Sequence, residues 1–172
     1  MRIPVVQLPS FDNGAIETDK DFYNTCEKIR FACEIAEGSD ITIAVENVLG
    51  IEETKQMLNE VKSKRLKIFY DTQNYYLNKK YSEAEVLDAI ADHVAQIHIK
   101  DGYNDTISSA LLGFGDTSFM KTAEVIKRTK CTEWLLLENY YNVRPLSEMN
   151  RDAFNILKRD IEIAKEIFEI AA

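Results

Sequence analysis

Four short apolar runs of this chain each carry, at or near the carboxyl end, a side chain that can bind a divalent cation: ITIAVE closes on Glu46, LKIFYD on Asp71, VAQIHI carries His98 and EWLLLE closes on Glu138. Runs this short and this rich in β-formers, with helical stretches between them, predict buried parallel strands. A side chain at the carboxyl end of such a strand stands at the mouth of the sheet, where α/β folds build their active sites. The pattern therefore points to an enzyme with a barrel-like sheet.

The rest of the chain supplies the alternation. A strand is expected at residues 3–8, then a loop and a helix over 21–36, whose stripe Phe22, Cys26, Ile29 and Cys33 has steps of four, three and four. Gly38 stops that helix, and a strand follows at 41–46. A helix over 52–63 shows Met57, Leu58 and Val61, and precedes a strand at 66–70. Ser82 with Glu85 forms a capping-box pattern at the head of a helix over 83–91, and His98 falls in the next strand. Residues 101–118 are polar and glycine-rich, long for a loop in a compact domain, and so form a candidate functional segment. A helix over 119–129, a strand at 134–137 and a long helix capped by Ser147, with the stripe Phe154, Leu157, Ile161, Ala164 and Phe168, complete the order.

Five strands alternating with five helices imply a parallel sheet with right-handed crossovers. An open doubly wound sheet would feed its ligand site from two or three strands at one switch point, whereas here four successive strands end in ligand-type residues. The expected fold is an incomplete (β/α)8 barrel forming one partial domain over residues 1–172. A complete barrel takes roughly 250 residues, so about three βα units lie outside this length.

With 45% hydrophobic and 29% charged residues, the composition is that of a globular domain with a real core. The formal charge of −8 argues against a nucleic-acid backbone or an anionic membrane surface as partner, because both would repel the chain at long range. No apolar run approaches the ~20 residues of a membrane span, and the N-terminal residues lack a signal-peptide pattern, so a cytoplasmic location is expected. Cys26, Cys33 and Cys131 form no CxxC, which leaves neither a disulfide scaffold nor a thiolate metal site in view.

Glu46, Asp71, His98 and Glu138, converging from neighbouring strand ends, would form a shell of three carboxylates and one imidazole. Such a shell suits Mn²⁺ or Mg²⁺ first, with Co²⁺ or Zn²⁺ also possible. Four protein ligands leave two positions of an octahedral ion for a substrate hydroxyl and its adjacent carbonyl. A proton could then leave the neighbouring carbon through an enediolate, with a glutamate as base. Return of the proton gives aldose–ketose isomerisation or epimerisation. Asn74, three residues after Asp71, would place an amide beside the metal. His93 precedes its strand, falls at the opposite end of the barrel and receives no role.

The runs AVEN, FYDTQN, IHIKD, LGFGDTSF and WLLLEN, in this order, resemble the xylose isomerase-like sugar phosphate isomerase/epimerase superfamily. The resemblance spans nearly the whole chain, and its most specific part is IHIKD followed by the glycine-rich LGFGD and an apolar strand ending in Glu. It implies one divalent metal on Glu46, Asp71, His98 and Glu138, with Glu46 and Glu138 also the acid/base pair. Asn74 takes the place where many relatives have a substrate-contacting histidine, and Lys100 of IHIKD would face the same mouth toward substrate oxygens. Phe114 stands where many relatives carry a glutamate. The first strand here corresponds to the family's fourth. An inosose dehydratase-like lyase, or a non-catalytic remnant or binding subunit, would use the same shell. An endonuclease IV-like role is disfavoured, because a trinuclear zinc cluster needs several histidines and the chain has two. A sheet open on both edges would expose unpaired backbone groups, so the chain is expected either to be a truncated form of a longer barrel or to form a homo-oligomer or another association that covers the gap.

Overall fold

The computed structural model describes residues 4–170 apart from 104 and 151. Its strands are β1 (Val5–Pro9), β2 (Thr42–Glu46), β3 (Leu66–Asp71), β4 (Val94–Ile99) and β5 (Leu135–Leu137), all parallel and in the sheet order β1-β2-β3-β4-β5. The helices are α1 (Asp19–Ala36), α2 (Ile51–Val61), α3 (Asn74–Lys79), α4 (Glu83–Ile90), α5 (Phe119–Thr129), α6 (Leu146–Met149) and α7 (Ala153–Phe168). Residue 3, the first of the strand expected at 3–8, lies outside the described residues. No helix among the described residues is long and apolar enough to cross a membrane.

One apolar cluster joins the helices to the sheet. It contains Phe22, Cys26, Ile29 and Cys33 of α1, Met57 and Val61 of α2, Val86, Leu87 and Ile90 of α4, and Phe119, Ala123 and Ile126 of α5. Alternate strand residues meet them, namely Ile43 and Val45, Leu66, Ile68 and Tyr70, and Ile97 and Ile99. The residues between, including Glu46, Phe69, Asp71 and His98, therefore point to the other face. Helices on a single face of a sequentially ordered parallel sheet make a half-barrel wall. A doubly wound sheet would carry helices on both faces.

Local signals explain most boundaries. Thr18 and Asp21 form a reciprocal capping box that starts α1 at Asp19, two residues before the expected 21. The Ser82 hydroxyl accepts from the Glu85 N–H at the head of α4. Two expectations need correction. The long helix starting at Ser147 is instead two helices, and Asp152, whose side chain accepts from the Phe154 N–H, caps the longer one. Its expected apolar stripe is also rotated: Phe154 is 71% exposed and Ile161 36%, while the buried positions are Ile156, Asp160 and Ala164. The cause is Asp160, a fully buried carboxylate bonded from three sides, which fixes the inward face of α7.

Candidate metal centre

Parallel pairing sets the ligand-type residues side by side. Glu46 and Asp71 are the last residues of β2 and β3, Asp71 is in register with His98 on β4, and Glu138 follows β5, its N–H donating to the Ile99 carbonyl at 3.1 Å. The His98 Nδ1 lies 3.5 Å from Glu46 Oε1, 3.8 Å from Asp71 Oδ2 and 3.5 Å from Glu138 Oε2. All four residues singled out by the sequence thus meet at one point. Glu46, Asp71 and His98 form its compact part, with ligand atoms all within 4.8 Å of one another. Glu138 is the outermost member, its side chain 34% exposed where that of Asp71 is 1%.

Each carboxylate is aimed by neighbours. Glu46 Oε2 accepts from the Gln7 amide and Oε1 from the Asn74 amide at 3.2 Å, so Asn74 stands beside the centre as expected. Asp71 Oδ1 accepts the N–H groups of Gln73 and Asn74, which leaves Oδ2 facing inward. Lys100 differs from an ordinary loop lysine. It is 2% exposed, and its ammonium sits 2.9 Å from Asp71 Oδ2 and 2.6 Å from Glu138 Oε2. Its backbone is held too: the Lys100 N–H donates to Thr72 Oγ1, and the Thr72 hydroxyl donates to the Lys100 carbonyl.

Charges and burial oppose one another here. Burial pulls the His98 imidazole down, but the surrounding carboxylates of Glu46, Glu138 and Asp71 outweigh it and hold His98 above its ordinary value. Burial pushes the Asp71 carboxyl up, only partly offset by Lys100 and the two backbone donors. Lys100 is held up by Asp71 and Glu138 against its own burial.

His98 Nδ1 and Asp71 Oδ2 are buried without an aligned hydrogen-bond partner, Asp71 Oδ2 having the Lys100 ammonium only as an ionic neighbour. An imidazole nitrogen without an aligned partner, facing three carboxylates, fits a bound divalent ion: the set is oxygen-rich, with one imidazole and no thiolate.

The 101–118 segment is pinned to this centre by residues the sequence reading passed over. The Asp101 carboxylate, fully buried, accepts the N–H groups of Gly102, Gly113 and Gly115 and the Thr117 hydroxyl. A Cβ at Gly115 would lie 2.2 Å from Asp101 Oδ1 and 2.4 Å from the Gly102 carbonyl, so the backbone here needs glycine. The Gln73 side chain donates to the Thr106 carbonyl and accepts from the Ser108 N–H, and the Ser108 hydroxyl donates to the Glu138 carbonyl. Asn139 bridges the Asp101 N–H to Asp160 on α7. The sequence did hold one signal, the acid closing IHIKD.

Comparison with known proteins extends this picture. The family model described as xylose isomerase-like TIM barrel matches residues 1–167. The 2-epi-5-epi-valiolone 7-phosphate 2-epimerase of Actinoplanes sp. is 34% identical over 143 residues, which are 81% of this chain and 52% of that protein. This chain therefore spans about half the length of the relative it matches. Among solved structures, a xylose isomerase domain protein from Planctomyces limnophilus superposes with a TM-score of 0.75 at 16% identity, over 95% of this chain and 58% of that one. The IOLI protein with a bound zinc atom gives 0.74 at 14% identity, over 95% and 62% of the two chains. A D-tagatose 3-epimerase-like protein gives 0.68 at 21%, over 97% and 64%. At these identities the structural likeness is one of fold.

Proposed function

Because this chain belongs to the xylose isomerase-like TIM barrel family, we propose that it carries the metal-binding half of a divalent-metal-dependent isomerase or epimerase acting on a sugar or keto-sugar. The observation that carries the reading is the convergence of Glu46, Asp71 and Glu138 on His98 Nδ1. A Mn²⁺ or Mg²⁺ ion held by these four residues would polarise a substrate carbonyl.

The protein's own groups divide the remaining work. Glu46 and Glu138 are the acid/base pair, one removing the proton from the carbon beside the carbonyl and one returning it. Glu46 is buried and fixed by Gln7 and Asn74, which suits one unvarying position relative to the substrate carbon. Glu138, more open, can exchange its proton with water. Return to the same face restores the configuration or, at the neighbouring carbon with the hydroxyl proton passing from one oxygen to the other, gives isomerisation; return to the other face of the original carbon gives the epimer. The Asn74 amide and the Lys100 ammonium are donors beside the centre for substrate oxygens. A relative named as a 7-phosphate 2-epimerase supports the epimerase branch and a substrate that is itself phosphorylated.

The open sheet favours one second reading, a site that holds metal without turnover unless further structure covers the edges of β1 and β5. One experiment separates the two. Calorimetric titration with Mn²⁺, with Asp71→Ala as control, should give one-site binding that the control loses. Ketoses incubated with the loaded protein in D₂O should then gain deuterium beside the carbonyl, and Glu138→Gln should stop that exchange while the fold survives. Binding without exchange selects the second reading, and exchange undiminished in Glu138→Gln removes Glu138 from the chemistry.

A further inference from the structure

We infer that Lys100 is a built-in competitor for the metal, a buried cation whose ammonium takes the same two carboxylate oxygens that a divalent ion must use. The inference rests on the metal reading above and goes beyond it. The oxygens coincide atom by atom. Lys100 Nζ is 2.9 Å from Asp71 Oδ2 and 2.6 Å from Glu138 Oε2. These are the atoms that face His98 Nδ1, at 3.8 and 3.5 Å. Asp71 has no other oxygen to offer, since its Oδ1 already accepts two backbone N–H groups.

Lys100 cannot simply swing away. Its side chain is 2% exposed, and Thr72, itself fully buried, holds its N–H and its carbonyl. The Lys100 backbone therefore stays in place whether or not an ion arrives. Only the four-carbon stem can move, and it ends among the groups that would bind the ion. The charge count explains why such a residue is useful. Three carboxylates meeting in a largely buried place repel one another, and one ammonium among them lets the unloaded protein fold. The same ammonium opposes an incoming cation, by Coulomb repulsion and by holding its ligand atoms. Affinity is thereby traded for stability of the metal-free protein, and weakly competing ions are discriminated against. Once displaced from Asp71 and Glu138, the ammonium is a donor within the site that no carboxylate holds, and so becomes available to a substrate oxygen only in the loaded protein.

The test is calorimetric Mn²⁺ binding and thermal unfolding of the wild type, Lys100→Met and Lys100→Arg, with and without Mn²⁺. Lys100→Met should bind Mn²⁺ about tenfold or more tightly than wild type. It should melt lower without metal and gain more from saturating metal. Lys100→Arg keeps the charge and should bind no more tightly than wild type. Should Lys100→Met fail to fold without metal, Lys100→Gln, which is shorter but keeps a donor and loses the charge, takes its place. Wild-type binding with Met or Gln variants no tighter, or an Arg variant equally tightened, overturns the competitor role and leaves the metal reading standing. No binding by wild type or any variant overturns both.

Discussion

Asp101→Asn replaces a buried carboxylate by its closest neutral copy, and the surroundings dictate the cost. Oδ1 accepts from the Gly102 N–H at 2.8 Å and the Thr117 hydroxyl at 2.7 Å, and Oδ2 from Gly113 and Gly115 at 3.0 and 2.9 Å. Every neighbour donates, and only the Thr117 hydroxyl could turn to accept. An amide placed at Oδ2 would leave two backbone donors facing NH₂, so the better orientation puts it at Oδ1, where Gly102 alone loses its acceptor. One orphaned buried N–H costs about 1–3 kcal/mol, and the two bonds kept at the other oxygen fall from charge-assisted to neutral strength. Burial pushes the Asp101 carboxyl up, so removing its charge returns part of the desolvation cost. The expected loss is about 3 kcal/mol, or about 6–12 °C in Tm for a chain of this size. Urea unfolding followed by circular dichroism would measure it. Asp88→Asn, which removes an exposed partner of Arg128, is the control and should cost under about 1 kcal/mol. A loss below about 0.5 kcal/mol in Asp101→Asn would refute the claim that this carboxylate pins the glycine-rich segment.

Glu83 is 1% exposed, one of its oxygens has no hydrogen-bond partner, and burial raises its carboxyl to about 7, so the folded state prefers it protonated. Its folded value exceeds the unfolded one. The stability it contributes is therefore full below about 4.5 and is lost as pH rises through about 7. Glu83→Gln should flatten the pH dependence of Tm between pH 5 and pH 8 and stabilise the protein at the upper end by about 2–3 kcal/mol, and an unchanged slope would place its ionisation elsewhere. Gly115→Ala, whose Cβ would strike Asp101 and the Gly102 carbonyl, should lose at least about 2 kcal/mol in urea unfolding. Gly14→Ala, with nothing within 4 Å, should stay near wild type, and equal losses in the two would show that the close approach does not matter.

What the sequence disclosed and what it hid divide along physical lines. Strand ends are legible because a buried parallel strand is a continuous apolar run and the first polar residue after it is conspicuous, as at Glu46 and Asp71; the run before Glu138 is equally apolar, although β5 at the sheet edge is only partly buried. The face of α1 was legible because its stripe is apolar throughout. The face of α7 was misread because one of its buried positions is Asp160, and hydrophobic spacing cannot signal a buried carboxylate satisfied by Leu112, Asn139 and Tyr141. Helix α3 went unseen because NYYLNK has no apolar period; Tyr75 is buried by stacking on Tyr70, with ring centroids 5.0 Å apart. The meeting of Lys100 with Asp71 and Glu138 joins residues 29 and 38 positions apart in the chain, and only strand register brings them together.

The strict sequential order of the sheet gives the centre two lifetimes. Glu46, Asp71 and His98 sit on β2, β3 and β4, each strand flanked on both sides, whereas Glu138 follows a three-residue strand that, among the described residues, pairs only with β4. Local opening begins where contacts are fewest, so β5 should fray long before the interior strands separate. Three ligand-type residues are then a durable cradle, and the fourth comes and goes with the edge of the sheet. Whatever covers that edge would act as a clamp, setting the fraction of time for which the cradle has its fourth side.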